Sequence, residues 1–469
     1  MLRDVRHEIT DGLLGLSTTK GEGVHVKIGV SPIVSDTPII ITGNMTAAKI
    51  KERLGLSPLA DKVMDSVENG SARVICFPVS ATTAGTIGAI SSGTVGSGSL
   101  KVTGSPYNAF DISIKITGQG GLNAASFVYS IDGGRSYSDE ATVPMNGVFV
   151  IEDTGLTVTF EVLEGQKFNV DDVFTFKTTA PQMTNGDALK AIEKLKTFNE
   201  EFEFVHIVGE SNAELWAAVS AQQVILANQY HKPMFFVLEA YNIAPNEKVE
   251  DYAFRLEAEK KLIKNYDVQV VAARSLYTGM DGITREINNA GIVAGMYAKA
   301  KVNQSIGETA VFGISVLKMK ELRPLGIEEY IEVLDAANYL TFRQYDGLEG
   351  FYVTNARMMC PDGSDYRYAE DVRVKNKIIK KTRKEALLQL QSDVDMEDVD
   401  GDLAAKGKFI QAPLEDMVKD KEISSVSINV PEGQDILVTE TMHIIIRYVP
   451  RGKIREIVID LGVSNPNAK

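Results

Sequence analysis

The sequence predicts an α/β protein: a mostly parallel-sheet core, an inserted all-β domain of sandwich or barrel type, and terminal β-strand arms. Two observations carry this. From residue 181 onward, short apolar runs alternate with long helical ones, the pattern of consecutive strand-helix-strand units whose parallel sheet is covered on both faces. Between 88 and 180 that pattern stops, and short alternating runs stand between Gly, Asn, Asp and Ser.

Taken in order, Val24 to Ile28 and Pro38 to Thr42 read as strands, Ala47 to Leu54 and Leu59 to Val67 as helices, and Arg73 to Val79 as a strand. Residues 1–87 thus form an N-terminal arm and α/β part. Ala81 to Ser99 has a linker-like composition of Ala, Thr, Gly and Ser. The runs at Ser99 to Thr103, Phe110 to Ile116, Ala125 to Ser130, Gly147 to Ile151, Leu156 to Leu163 and Val173 to Thr178 then give the all-β domain, 88–180.

The α/β core, 181–422, follows. Glu203 to Val208, Met234 to Leu238 and Val268 to Ala273 read as its strands, and Asn212 to Tyr230, Val249 to Asn265 and Thr284 to Val302 as its helices. Ile327 to Ala336 reads as helix, Tyr339 to Tyr345 and Gly350 to Asn355 as strands, and Val372 to Leu390 as a long helix. Residues 423–469 are a β-rich part carrying a linking arm, in which two β runs, Met442 to Val449 and Lys453 to Leu461, join at Pro450 to Gly452.

With 469 residues, 44% of them hydrophobic, the chain buries several cores and suggests two to four domains. No run reaches the length of a membrane span, and the first residues lack the apolar core of a signal peptide, so a cytosolic product is expected. Its charge of −14 speaks against nucleic-acid binding by the surface as a whole. Cys76 and Cys360 are far apart with no CxxC partner, and imply neither a disulfide framework nor a zinc site.

Catalytic signatures are weak. Gly209-Glu210-Ser211-Asn212-Ala213 sits between a strand and a helix, as a nucleophile elbow does, but Ala213 stands where the last glycine belongs. Ser211 with Glu214 makes a capping box, the preferred reading. Ser130-Ile131-Asp132-Gly133-Gly134-Arg135-Ser136-Tyr137 resembles an Asp-box, which in physical terms is a turn tied down by Asp132. No phosphate-binding glycine loop is present. The acids from Asp393 to Asp402 miss the spacing of a calcium loop and read as a solvated segment. No enzyme, cofactor or metal is expected.

Two features suit assembly. Arg373, Lys377, Lys380 and Lys384 recur at i, i+4, i+7 and i+11, one positive stripe on the long helix, meaning either a solvated face or a surface for an acidic partner. In the last β run Ile457, Ile459 and Leu461 share one face, so the run suits either edge addition to a neighbour's sheet or a strand in its own domain.

Gly350-Phe351-Tyr352-Val353-Thr354-Asn355-Ala356-Arg357, then Ser364-Asp365-Tyr366-Arg367, then Arg373-Val374 leading into a basic helix, resemble the contractile phage tail sheath family. So do the runs around Tyr448-Val449-Pro450 and Ile454-Arg455-Glu456-Ile457-Val458-Ile459, and Gly21 to Gly29 with Leu54-Gly55-Leu56-Ser57. The likeness is greatest to its shorter branch from phages and phage-tail-like particles of Gram-positive hosts. It implies hexameric rings stacked helically around an inner tail tube protein, with baseplate and tail terminator proteins at the ends. It also implies contraction without cofactor or hydrolysis, and no membrane insertion. The place implied is a virion tail or phage-tail-like particle assembled in the host cytoplasm. Arg373, Lys377, Lys380 and Lys384 become candidates for facing the tube, and Ile454, Ile457, Val458, Ile459 and Leu461, with Leu2 to Thr10, for linking subunits. The other readings are a carbohydrate- or receptor-binding tail protein acting through 88–180, and an α/β-hydrolase using Ser211.

Overall fold

The computed structural model describes residues 22–93, 96–163 and 165–464. The chain divides into two compact units, Met1–Arg373 and Val374–Lys469.

The first unit is built on a six-stranded sheet. Its strands are β1 (His25–Val30), β2 (Ile39–Thr42), β3 (Arg73–Val79), β4 (Phe204–Ser211), β5 (Phe235–Ala240) and β6 (Val268–Val271), in the order β6-β5-β4-β1-β3-β2. All neighbours run parallel except β2, which closes one edge antiparallel to β3. Alternation sorts the side chains: on β3, Val74 and Cys76 join the core under helices α1 (Ala47–Leu54) and α2 (Pro58–Glu68), while Ile75 and Phe77 join the larger core. That larger core takes in α3 (Asn185–Glu193), α4 (Ala213–Asn228), α5 (Val249–Lys260) and α6 (Ala290–Lys299), with Trp216 and Tyr297 buried at its centre.

α6 crosses α2 through two glycines. A Cβ at Gly295 would stand 2.5 Å from the Ser66 carbonyl oxygen, and one at Gly291 2.8 Å from the Asp65 Cβ, so only hydrogen allows this approach. Gly295→Ala should therefore lower stability by about 1–3 kcal/mol, the usual cost of overpacking, as read from urea melts. An unchanged midpoint would show that the helices separate freely.

The segment Thr284 to Val302, expected as one helix, is a strand followed by a helix. Thr284–Asn288 pairs antiparallel with Arg274–Thr278, which also pairs with Met319–Arg323. Asn288 makes the break: its side-chain amide donates to the carbonyls of Val271 and Ala240, and its carboxamide oxygen accepts from Ala290 N–H.

Residues between 88 and 180 form two antiparallel sheets, Ser99–Gly104 with Leu156–Glu161 and Val148–Ile151, and a five-stranded one centred on Val173–Lys177 and Asp111–Gly118. They enclose a core of their own, including Ile114, Ile116, Phe127, Val158, Phe160 and Phe174. The chain enters and leaves this body side by side, with Thr83 bridged to Gln182 and Ile87 to Thr178. The Asp-box-like segment is a turn. Asp132 is buried and accepts hydrogen bonds from Ser130 Oγ, Arg135 N–H and Ser136 N–H, with Gly133 and Gly134 at positive φ.

The second unit continues α8 (Ala369–Leu387), the helix after the short α7 (Ile331–Ala336), into a helix α9 (Val399–Lys419). The acidic run is an exposed loop from Asp393 to Glu397 that ends in a helix: Asp398 caps α9 by accepting from Gly401 N–H, and Asp400 and Asp402 lie in its first turn, where the helix dipole favours negative charge. α9 buries Leu403, Ile410, Leu414 and Met417. A hairpin of β7 (Ile423–Asn429) and β8 (Ile445–Pro450) follows. The second β run, Lys453 to Leu461, read as joining the first at Pro450 to Gly452, is not a strand. β8 takes β7 as its partner instead, and residues 451–464 run on without regular structure.

Candidate functional site

Ser211 is the last residue of β4 and is buried. Its hydroxyl donates to the Glu239 carbonyl at 2.7 Å and accepts from Trp216 Nε1 at 2.8 Å. Both its proton and its lone pair are thus engaged in holding α4 on the sheet. The cap of α4 is not Ser211, as the sequence suggests, but Asn212, whose side chain accepts from Leu215 N–H at 3.2 Å.

Beside it lies a buried chain of ionisable groups that sequence reading passed over. Lys27 on β1 donates to His206 Nδ1 on β4 at 2.7 Å, and His206 Nε2 meets Glu239 Oε1 on β5 at 3.0 Å. Lys62 on α2 stands 3.8 Å from both Glu239 Oε2 and Asp65 Oδ2, and donates to the Asn288 carbonyl. Burial, reinforced by Lys27, depresses the His206 pKa to about 3, so the ring is neutral, accepting at Nδ1 and donating at Nε2. Burial also lowers Lys27 to about 7 and raises Asp65 to about 7. For Glu239 burial opposes ionisation, but Lys62 and His206 win and hold the carboxyl at about 2. The only trace of this in sequence is the polar residues at alternate positions of β1, His25 and Lys27, in a strand otherwise apolar.

Lys62 and Glu239 open onto a cleft of about 630 Å³ between the carboxyl ends of the parallel strands and the all-β body. Its charges are already matched: Arg274 Nη1 lies 2.9 Å from Glu210 Oε1, and Lys177 Nζ 3.2 Å from Asp111 Oδ2. Among the described residues no group of three or more His, Cys, Asp or Glu side chains is placed to hold a metal. Nor is any described helix long and apolar enough to cross a membrane.

The basic stripe is not continuous. Arg373 is 1% exposed, its guanidinium held by the Glu203 carboxylate, because it lies on the inward side of α8 where that helix leaves the first unit. Lys377 Nζ lies 2.6 Å from Glu422 Oε1 within the second unit, so its charge is spent locally. Lys380 is part-buried and Lys384 exposed.

The linking-arm candidates are displayed. Ile454, Ile457, Val458, Ile459 and Leu461 are exposed, from 74% at Ile457 to 91% at Leu461. They follow a hairpin of two strands only, in which β7 and β8 each keep one edge without a strand among the described residues. Leu2 to Thr10 lies outside the described residues.

This architecture is that of the contractile tail sheath proteins. The sheath tail protein of Desulfitobacterium hafniense is similar at 13% identity, with 96% of this chain and 100% of that chain covered and a TM-score of 0.50. The PVC sheath complex of an extracellular contractile injection system, in its contracted state, matches at 12% identity, 98% and 97% coverage and a TM-score of 0.53. A chain of the anti-feeding prophage baseplate in its contracted state matches at 11% identity over 100% of both chains, with a TM-score of 0.51. No curated protein matches the sequence. Family models described as the DUF2586 N-terminal and C-terminal domains match residues 2–357 and 365–468, and the chain belongs to this family.

Proposed function

We propose that the chain is the structural subunit of a contractile tail sheath, polymerising helically around an inner tube and contracting to drive that tube through a target envelope. The observation that carries this reading is the apolar run Ile454 to Leu461, exposed after an open-edged hairpin on a sheath-type fold. Exposed apolar strand-forming residues are costly in a free monomer and are stabilised by adding to a neighbour's sheet edge. Because arm and edge are different surfaces, each copy binds the next head to tail and the contact propagates. Self-association into stacked rings follows, with tube, baseplate and terminator proteins as partners in a phage-tail-like particle. Negative-stain microscopy of the purified chain should show hollow tubes; monomers alone at high concentration would sink the reading. A hydrolase using Ser211 is not favoured, since that hydroxyl is engaged on both sides.

We place the tube-facing surface on the distal part of α8, at Lys380 and Lys384, since Arg373 is buried. Exposed pairs of this kind contribute about 0.2–1 kcal/mol each and are screened by salt. Reversing Lys380 and Lys384 to Glu together should weaken co-assembly with the tube protein at low salt and leave it unchanged at about 1 M, where the Debye length is about 3 Å. Equal co-sedimentation of variant and parent at low salt would reduce these lysines to a solvated face.

A further inference from the structure

We propose that the buried Arg373–Glu203 pair is a mechanical clasp that fixes at one point the roots of both terminal segments of the subunit. The inference rests on the sheath reading for its purpose, though not for its geometry. Arg373 lies in the first turns of α8, from which the chain runs on to the hairpin and the exposed C-terminal residues. Its Nε and Nη2 grip the two oxygens of Glu203, the second at 3.1 Å. Nη2 also donates to the carbonyls of Tyr297 at 2.9 Å and Ala300 at 3.3 Å, and Nη1 to that of Lys301 at 3.2 Å. These carbonyls end α6, where a helix leaves acceptors without internal partners, and a guanidinium is the one side chain with enough donors to serve carboxylate and helix end together.

Glu203 completes the link on its other side. Its Oε2 accepts from Gly23 N–H at 2.8 Å, and its own N–H donates to the Val24 carbonyl. Glu203 therefore holds the chain just before β1, at the point where residues 1–21 lead in. Gly23 has φ +70°, and a Cβ there would lie 2.6 Å from the Ala298 carbonyl oxygen, so this root is also pressed onto the end of α6. Residues 23, 203 and 373, separated by 180 and 170 positions, thus share one carboxylate. In a sheath whose copies are joined through their ends, tension entering at one end reaches the other through this pair.

A buried ion pair adds little net stability over an apolar replacement but imposes one geometry, which is what an anchor needs. Arg373→Lys keeps the charge and loses the fork and most carbonyl bonds. In the full-length subunit, hydrogen exchange should rise at least tenfold both at residues 23–25 and in the first turn of α8, with β5 unchanged. Glu203→Gln, which keeps an acceptor for Gly23, should give the same joint rise if the lysine variant folds poorly. Faster exchange in α8 with none at residues 23–25, in either variant, would overturn the clasp. The exchange readout needs no polymer, so absence of tubes from the parent chain would defeat the sheath reading while leaving this coupling to be judged by itself.

Discussion

Ending the chain at Gly452 should abolish tube formation while leaving the melting curve of the subunit where it was. Of the residues removed, 454–464 are exposed and belong to no strand or helix of their own subunit, so the folded state loses almost no buried area there. In the polymer the same residues would contribute much more. Burying five aliphatic side chains yields about 1.5–3 kcal/mol each as an upper bound, besides the backbone hydrogen bonds of an added strand. Sedimentation and microscopy on parent and truncated chains settle it: tubes of ordinary length from the truncated form would refute the arm. Excising 88–180 is the matched control. That body has a core of its own, so its removal should leave both the fold and the tubes intact.

The second large effect is expected from the buried chain Lys27–His206–Glu239–Lys62–Asp65. Glu239→Ala leaves buried Lys62 without one of the two carboxylates 3.8 Å from it and His206 without its partner on β5, and should cost about 3–5 kcal/mol. The pH dependence has opposing parts. His206 is depressed from 6.5 to about 3 and Glu239 from 4.5 to about 2, so both contribute stability above their unfolded values and lose it as pH falls. Asp65 is raised from 3.8 to about 7, so its contribution is full below 3.8 and lost as pH rises toward 7. Lys27, lowered from 10.5 to about 7, favours folding progressively as pH rises through that window. Between pH 7 and about 4 the losses at His206 and the gains at Asp65 offset, and below that only losses continue. Urea melts should show a shallow slope and then a steep fall below about pH 4. Asp65→Asn removes the counterweight, so its stability should decline from pH 6.5 downward; a profile parallel to the parent's would show that the two groups do not oppose each other.

Much of the fold was legible because local pattern and tertiary role agree. Ala47–Leu54 and Arg73–Val79 are found at the bounds their periodicity predicts, and the Asp-Gly-Gly turn forms as Asp132 demands. α9 was hidden because Gly401, Gly407 and Pro413 dilute a stripe that buries only about one residue per turn. Thr284–Asn288 was hidden because Arg285 and Glu286 at its centre break any apolar alternation, and only its antiparallel pairing with Arg274–Thr278 makes it a strand. The site was less legible still. Arg373 looks like one basic residue of a surface stripe, and its carboxylate lies 170 positions earlier, beyond any local period. Lys377 is misread for the same reason, its partner Glu422 standing after α9.

The side-by-side entry and exit of the all-β body makes it a socket. Two residues facing each other across an antiparallel ladder stand only about 5 Å apart. Any domain whose two ends lie equally close would fit between Thr83 and Gln182 without moving β3 or α3. One framework can thus carry changing inserted modules, natural or engineered, while the six-stranded sheet beside them stays the same.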